Sequence, residues 1–278
     1  MKFIVPFLFC ATVQAAPIDL YIIAGQSNAN GVDPPFSSLG ELSPQDVPYE
    51  FYIGSIDIWQ KTEIMQLQNL STFWPTYQWI CHGAELSFAY ALEQRTDREV
   101  AIVKVSWGGT NSHQWRPSTN WLYSQLVTST NEMKNDLVAE GYEPEVAGMI
   151  WVQGEADANE QWFASNYYTY ISELFTEVRE EFGPFPILLN RLHSGLREDF
   201  LYDDTVRQAQ QDLADNLDNV HIITIDDLEL RQDQVHLRSS AQIEMGYRFA
   251  DILVPSGDFD RNGVVNTSDL AKWNGRGN

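Results

Sequence analysis

Five short apolar runs, at 19–24, 100–105, 146–152, 185–189 and 220–225, alternate with stretches of helical spacing, and this alternation restricts the fold more than any other feature. The helical stretches are expected at 85–94, 121–138, 162–182, 205–217 and 239–253. In the fourth, Val206, Ala209, Leu213, Ala214 and Leu217 gather on one face, as an amphipathic helix requires. Strands separated by helices pair in parallel through right-handed crossovers, which predicts a doubly wound α/β sandwich around a central sheet of about five strands. Sites in such sheets form beyond the carboxyl ends of the strands.

The segment 33–77 interrupts the pattern. It holds Pro34, Pro35, Pro44, Pro48 and Pro75 and has no clear periodicity, so it reads as a long ordered insertion beside the site. Lys2, the apolar run from Phe3 to Val13 and the small residues Val13 and Ala15 form a secretory signal pattern, with cleavage expected after Ala15. Residues 1–15 are thus assigned to a signal peptide, 16–255 to the α/β domain and 256–278 to a tail. Export would leave Cys81 as the one cysteine, so the fold is expected to rest on its core without an intrachain disulfide. A formal net charge of -22 argues against a nucleic-acid partner, since phosphate neutralisation needs a basic face. It fits a solvated acidic surface.

Polar motifs cluster at the ends of the predicted strands. Gly25-Gln26-Ser27-Asn28 follows the first, where a glycine turn leads into a helix start and free amides face developing negative charge. Ser27 is the candidate nucleophile, and an ordinary helix cap is the alternative for such a segment taken alone. Asp233-Gln234-Val235-His236 places an acid three residues before a histidine. Its carboxylate can hold Nδ1 and leave Nε2 for a serine, and a satisfied surface turn is the alternative. Trp107-Gly108-Gly109-Thr110-Asn111 offers a glycine amide, and Trp151-Val152-Gln153-Gly154-Glu155 a side-chain amide, as donors to an oxyanion. Among the tryptophans, Trp74, Trp107 and Trp121 are expected mainly in packing. Trp115, in a polar loop with Asn111, Gln114 and Arg116, is the preferred candidate for stacking on a ligand ring, with Asn111 beside it.

Together these four motifs resemble the SGNH hydrolase superfamily. Within it they are similar to the branch of sialate O-acetylesterase-like domains and carbohydrate esterase family 6 acetylxylan esterases, and Gly83-Ala84-Glu85-Leu86-Ser87-Phe88-Ala89 adds to the likeness. The resemblance implies a flavodoxin-like three-layer sandwich and a secreted enzyme that removes acetyl groups from sugar hydroxyls without a cofactor. Ser27 is then the nucleophile, His236 the base and Asp233 its orienting acid. The Ser27 amide, the Gly108 amide and the Gln153 side chain would form the oxyanion hole, Gln153 standing where the superfamily usually has asparagine. An acetylxylan esterase-like activity is the expected one; a sialate O-acetylesterase, a lipid esterase or thioesterase of the superfamily, and a non-catalytic carbohydrate-binding or scaffold-attached protein are the competing readings.

In the tail, Asp258, Asp260, Asn262, Asn266 and Asp269 occupy positions one, three, five, nine and twelve of an EF-hand-type calcium loop, with Gly263 at six and the Val264 carbonyl at seven. The loop resembles one half of a dockerin, which implies bound Ca2+ and a cohesin-like partner. Dockerins carry two such loops, this tail has one, and Asp269 is shorter than the usual glutamate.

Overall fold

The computed structural model describes residues 15–31, 47–55, 61–69, 82–118 and 121–254, the backbone alone for 51–55 and 61–69. In chain order the elements are β1 (Ala16–Gly25), α1 (Ser27–Asn30), β2 (Pro48–Ser55), β3 (Lys61–Asn69), α2 (Glu85–Arg95) and β4 (Glu99–Gly108). A 3-10 turn (Ser112–Trp115), α3 (Trp121–Ala139), β5 (Tyr142–Val152), α4 (Glu155–Ala158) and α5 (Gln161–Phe182) follow. The chain continues through β6 (Ile187–Asn190), α6 (Asp203–Asn216), β7 (Val220–Ile223) and α7 (Ser239–Leu253).

The sheet has seven strands in the order β3-β2-β4-β1-β5-β6-β7, all parallel except β3, which runs antiparallel to β2. All five predicted strands are present as β1, β4, β5, β6 and β7. The two additional strands lie in the segment 33–77. Its hairpin adds to the β4 edge, and the pairing of Ser55 with Gly108 brings the end of β2 beside a motif glycine. Hairpin pairing at a sheet edge is satisfied by backbone bonds, so it needs no apolar run of the kind that marks a central strand.

Alternation along β1 divides the core into two layers. Ile18, Leu20, Ile22 and Ala24 face one side, packed with Leu122 and Met133 of α3, Tyr167 and Leu174 of α5, and Leu213 of α6. Tyr21 and Ile23 face the other, packed with Phe88 and Leu92 of α2 and Met245 and Phe249 of α7. Helices α2 and α7 approach closely at Gly246, where a Cβ would stand 2.1 Å from Ser87 Oγ and 2.3 Å from the Ala84 carbonyl oxygen. Ser87 Oγ donates to the Ile243 carbonyl at 2.6 Å across this contact. The chain first builds the β2–β4 side of β1 and then crosses to the β5–β7 side, which makes the carboxyl end of β1 a topological switch point.

Glu50 of β2 is buried, and desolvation, the side-chain hydrogen bond its protonated form donates to Asp136 and the nearby charges of Asp136 and Glu132 push its carboxyl up to about 8. A carboxyl kept protonated by the fold stabilises it fully below the unfolded carboxyl range, and that contribution is lost as pH rises through about 8. Chemical denaturation between pH 5 and pH 9 should therefore show wild-type stability falling relative to Glu50→Gln. Parallel pH profiles of the two proteins would contradict this.

Candidate active site

The first turn of the site is set by backbone geometry. β1 pairs Gly25 with Ser106 of β4 on one side and Val152 of β5 on the other, so three carboxyl ends lie level. Gly25 has φ 143°, and a Cβ there would stand 2.0 Å from the Val152 carbonyl oxygen, so only glycine lets the chain leave the sheet at this point. The Gln26 amide then donates to that carbonyl at 3.0 Å, and α1 begins at Ser27. No side chain caps this helix. The Ser27 hydroxyl is directed elsewhere, 2.9 Å from His236 Nε2.

His236 reaches the serine from the far end of the domain. Its loop turns at Gln234, whose φ is 55°, and is closed by Arg231 N donating to the His236 carbonyl at 2.7 Å and by a bridge between Leu230 and Leu237. Asp233 Oδ2 lies 3.0 Å from His236 Nδ1, and Asp233 Oδ1 accepts from the Val235 and His236 amides, each at 3.0 Å. Partial burial works to raise the Asp233 carboxyl, but the bonds from the His236 amide and ring and the Val235 amide prevail and bring it down to about 2. The aspartate is therefore ionised wherever an imidazole can act as a base. Ser27, His236 and Asp233 form one chain of hydrogen bonds.

The glycine motif ends β4 at Gly108, with Gly109 at φ 76°. Thr110 Oγ1 donates back to the Trp107 carbonyl at 2.7 Å. Asn111 and Gln114 then form a capping box on the Ser112–Trp115 turn: Gln114 N donates to Asn111 Oδ1 at 3.3 Å, and Asn111 N to Gln114 Oε1 at 3.0 Å. Two expectations change here. Trp115 is fully buried, its Nε1 donating to Thr110 Oγ1 at 3.0 Å and its ring edge-on to Trp151 at 5.1 Å, so it is a core residue with no face for a ligand. The Asn111 side chain, partly exposed, is engaged through Oδ1 as the cap of this turn. Among the described residues the exposed tryptophan rings are Trp121, 46% exposed and edge-on to Trp107, and Trp162, 64% exposed at the start of α5. Trp74, Cys81, the signal segment 1–14 and the tail with its calcium loop lie outside the described residues.

Gln153 is buried at the end of β5, and its Nε2 faces three acceptors: Gln26 Oε1 at 3.1 Å, the Thr110 carbonyl at 3.0 Å and Asp157 Oδ2 at 2.5 Å. Two amide protons are shared among them. Its main-chain oxygen accepts from Tyr167 Oη at 2.9 Å and Gln210 Nε2 at 3.0 Å. Asp157 is buried, and desolvation pushes its carboxyl up to about 6 against hydrogen bonds from Ser112 and Gln153. Gln153 is thus the hub of a network joining the ends of β1, β4 and β5. The sequence suggests the amide as a donor but carries no sign of these partners.

Glu85, the acid of the Gly83–Ala89 stretch, supports α1 from below. The Lys104 ammonium donates to Glu85 Oε1 at 2.9 Å and to the Asn30 carbonyl at 2.8 Å, with both ionic side chains wholly buried. Glu85 Oε1 also accepts from the Gly83 amide at 2.9 Å. Among the described residues, no group of three or more His, Cys, Asp or Glu side chains is arranged to hold a metal ion.

A profile of the family described as carbohydrate esterase, sialic acid-specific acetylesterase matches residues 17–254. A probable carbohydrate esterase of Arabidopsis thaliana is 28% identical over 173 residues, a stretch that spans 60% of this chain and 62% of that relative. In fold, the chain is similar to the solved structure of an Arabidopsis thaliana protein, at TM-score 0.63 and 24% identity, covering 89% of this chain and 100% of the other. It is also similar to a carbohydrate acetylesterase from Xanthomonas citri, at TM-score 0.56 and 19% identity, covering 85% of this chain and 56% of the other.

Removing one member of a buried ion pair strands the other. Lys104→Met should cost about 3–5 kcal/mol in denaturant unfolding, and adding Glu85→Leu should recover part of that loss. A Lys104→Met protein as stable as wild type would contradict the assigned role of the pair.

Proposed function

Because the chain belongs to the carbohydrate esterase, sialic acid-specific acetylesterase family, we propose that it is a serine esterase that removes acetyl groups from sugar hydroxyls. The observation that carries this reading is the contact of Ser27 Oγ with His236 Nε2 at 2.9 Å, with Asp233 Oδ2 3.0 Å behind Nδ1. His236 takes the Ser27 proton as Oγ attacks the acetyl carbonyl, and Asp233 stabilises the imidazolium that results. His236 returns that proton to the departing sugar oxygen, leaving an acetyl-serine. Water, deprotonated by His236, then attacks the acetyl group, and acetate leaves with Ser27 restored.

The Ser27 and Gly108 backbone amides are assigned to the oxyanion. Gln153 is the third contributor, the developing oxyanion competing with Gln26, Thr110 and Asp157 for its two amide protons. The chemistry calls on no metal or organic cofactor.

An acetylxylan-like substrate, as in carbohydrate esterase family 6, is the finer reading. Its support is electrostatic: a chain of net charge -22 repels anionic sugars at a distance and tolerates a neutral polysaccharide. The sialate reading rests on the family description. The pattern at 1–15 supports secretion, where such polymers occur.

Acetate release from acetylated xylan, acetylated pectin and O-acetylated sialic acid should be measured side by side, with acetylated xylan turned over fastest and Ser27→Ala inactive while still folded. Turnover by Ser27→Ala would overturn the mechanism, and a preference for long-chain acyl esters would favour the lipid esterase reading. The spacing from Asp258 to Asp269 supports a calcium loop in the tail, with a cohesin-like partner as its further implication. Calorimetric titration with millimolar calcium should give a saturable heat, and a flat titration would remove the site.

A further inference from the structure

We propose that Asn28 and Glu155 form a clamp that positions the His236 loop over Ser27 and places a second negative charge near the working imidazole, an inference that rests on the esterase reading above. Both residues belong to the motifs around Ser27 and Gln153, yet the triad and the oxyanion donors leave them without a task.

The Asn28 carboxamide makes three contacts that the chain brings together from distant positions. Nδ2 donates to Glu155 Oε1 at 2.5 Å and to the Val235 carbonyl at 3.1 Å, while Oδ1 accepts from the Leu237 amide at 2.9 Å. Val235 and Leu237 are the two neighbours of His236, and Asn28 is the neighbour of Ser27. One planar group therefore ties the residues on both sides of the base to the residue next to the nucleophile. The Asn28 carbonyl adds a fourth tie, accepting from Gln242 Nε2 of α7 at 3.1 Å. With Asn28 buried, water competes little for these bonds, and the serine and imidazole are held at contact distance before substrate arrives.

Glu155 anchors the other end of Nδ2 at the start of α4. It is buried, and desolvation raises its carboxyl, opposed by the Asn28 bond, its own amide and that of Gly154, and the charge of His236. A glutamine would accept from Asn28 equally well. What the carboxylate adds is charge, and the imidazolium formed during turnover is the cation it acts on. The ionisable groups around this pair are Asp233 on the His236 loop, Asp157 on the Glu155 helix, and Arg197, whose charge acts on Asp233. Asp233 holds one ring nitrogen directly. Glu155 acts through space and through Asn28, so it is a positioning residue.

The full chain should be assayed for p-nitrophenyl acetate hydrolysis across pH in two variants. Glu155→Gln should move the acid limb of kcat/KM to lower pH, so that at the wild-type half-activity pH the variant retains a clearly larger fraction of its own plateau. Asn28→Ala should lower kcat by about tenfold or more with KM unchanged, because the base is no longer held at contact distance. A Glu155→Gln acid limb identical to wild type overturns the electrostatic role, and wild-type kcat in Asn28→Ala overturns the clamp. If Glu155→Gln fails to fold, Asn28→Ala still tests the tether. A wild-type chain inert toward every acetyl ester would instead overturn the esterase reading itself.

Discussion

The central strand β1 is hydrogen-bonded along its length to β4 and β5, and the site depends on that double pairing. Gly25 meets Ser106 and Val152 at the same level, so Ser27, Gly108 and Gln153, which follow these positions, share one edge of the sheet only while this register holds. A slip of one residue would exchange the two faces of β1, moving Ile18, Leu20 and Ile22 out of the layer they share with α3, α5 and α6. The hydrophobic core therefore specifies the register, and the register specifies the site.

A second constraint is the density of buried polar groups beneath the serine. Glu85 with Lys104, Asp157 with Ser112 and Gln153, and Glu155 with Asn28 are all withdrawn from water. Each would oppose folding if left unpaired, and each is tied to a partner on a different element. Their common effect is to fix the short helix α1 and the His236 loop relative to the strand ends. Ser27, His236 and Asp233 are themselves only partly buried, so their fixed arrangement comes from the layer underneath.

Much of this was legible in the sequence, for identifiable reasons. Strands buried on both faces are continuous apolar runs, so β1, β4, β5 and β6 stood out, as did the short apolar edge strand β7 and the long helices between them. Asp233 and His236 were readable because their contact is local, three residues apart. The β2–β3 hairpin was hidden because an edge pair among prolines carries little hydrophobic pattern. Trp115 was misread because a polar neighbourhood in sequence became, after the capping turn of Asn111 and Gln114, a buried contact with Trp151. The partners of Gln153 and Asn28 were illegible because they lie at sequence separations such as the 127 residues between Asn28 and Glu155.

In the proposed mechanism Ser27 is made nucleophilic by His236, held in turn by Asp233, at a contact the fold supplies in advance. The most direct test is covalent: treat the full chain with a fluorophosphonate, digest it and locate the label by mass spectrometry. The account predicts a single modified peptide carrying Ser27, with labelling sharply slowed in His236→Ala. Label on another residue, or labelling of Ser27 at an undiminished rate in His236→Ala, would contradict it.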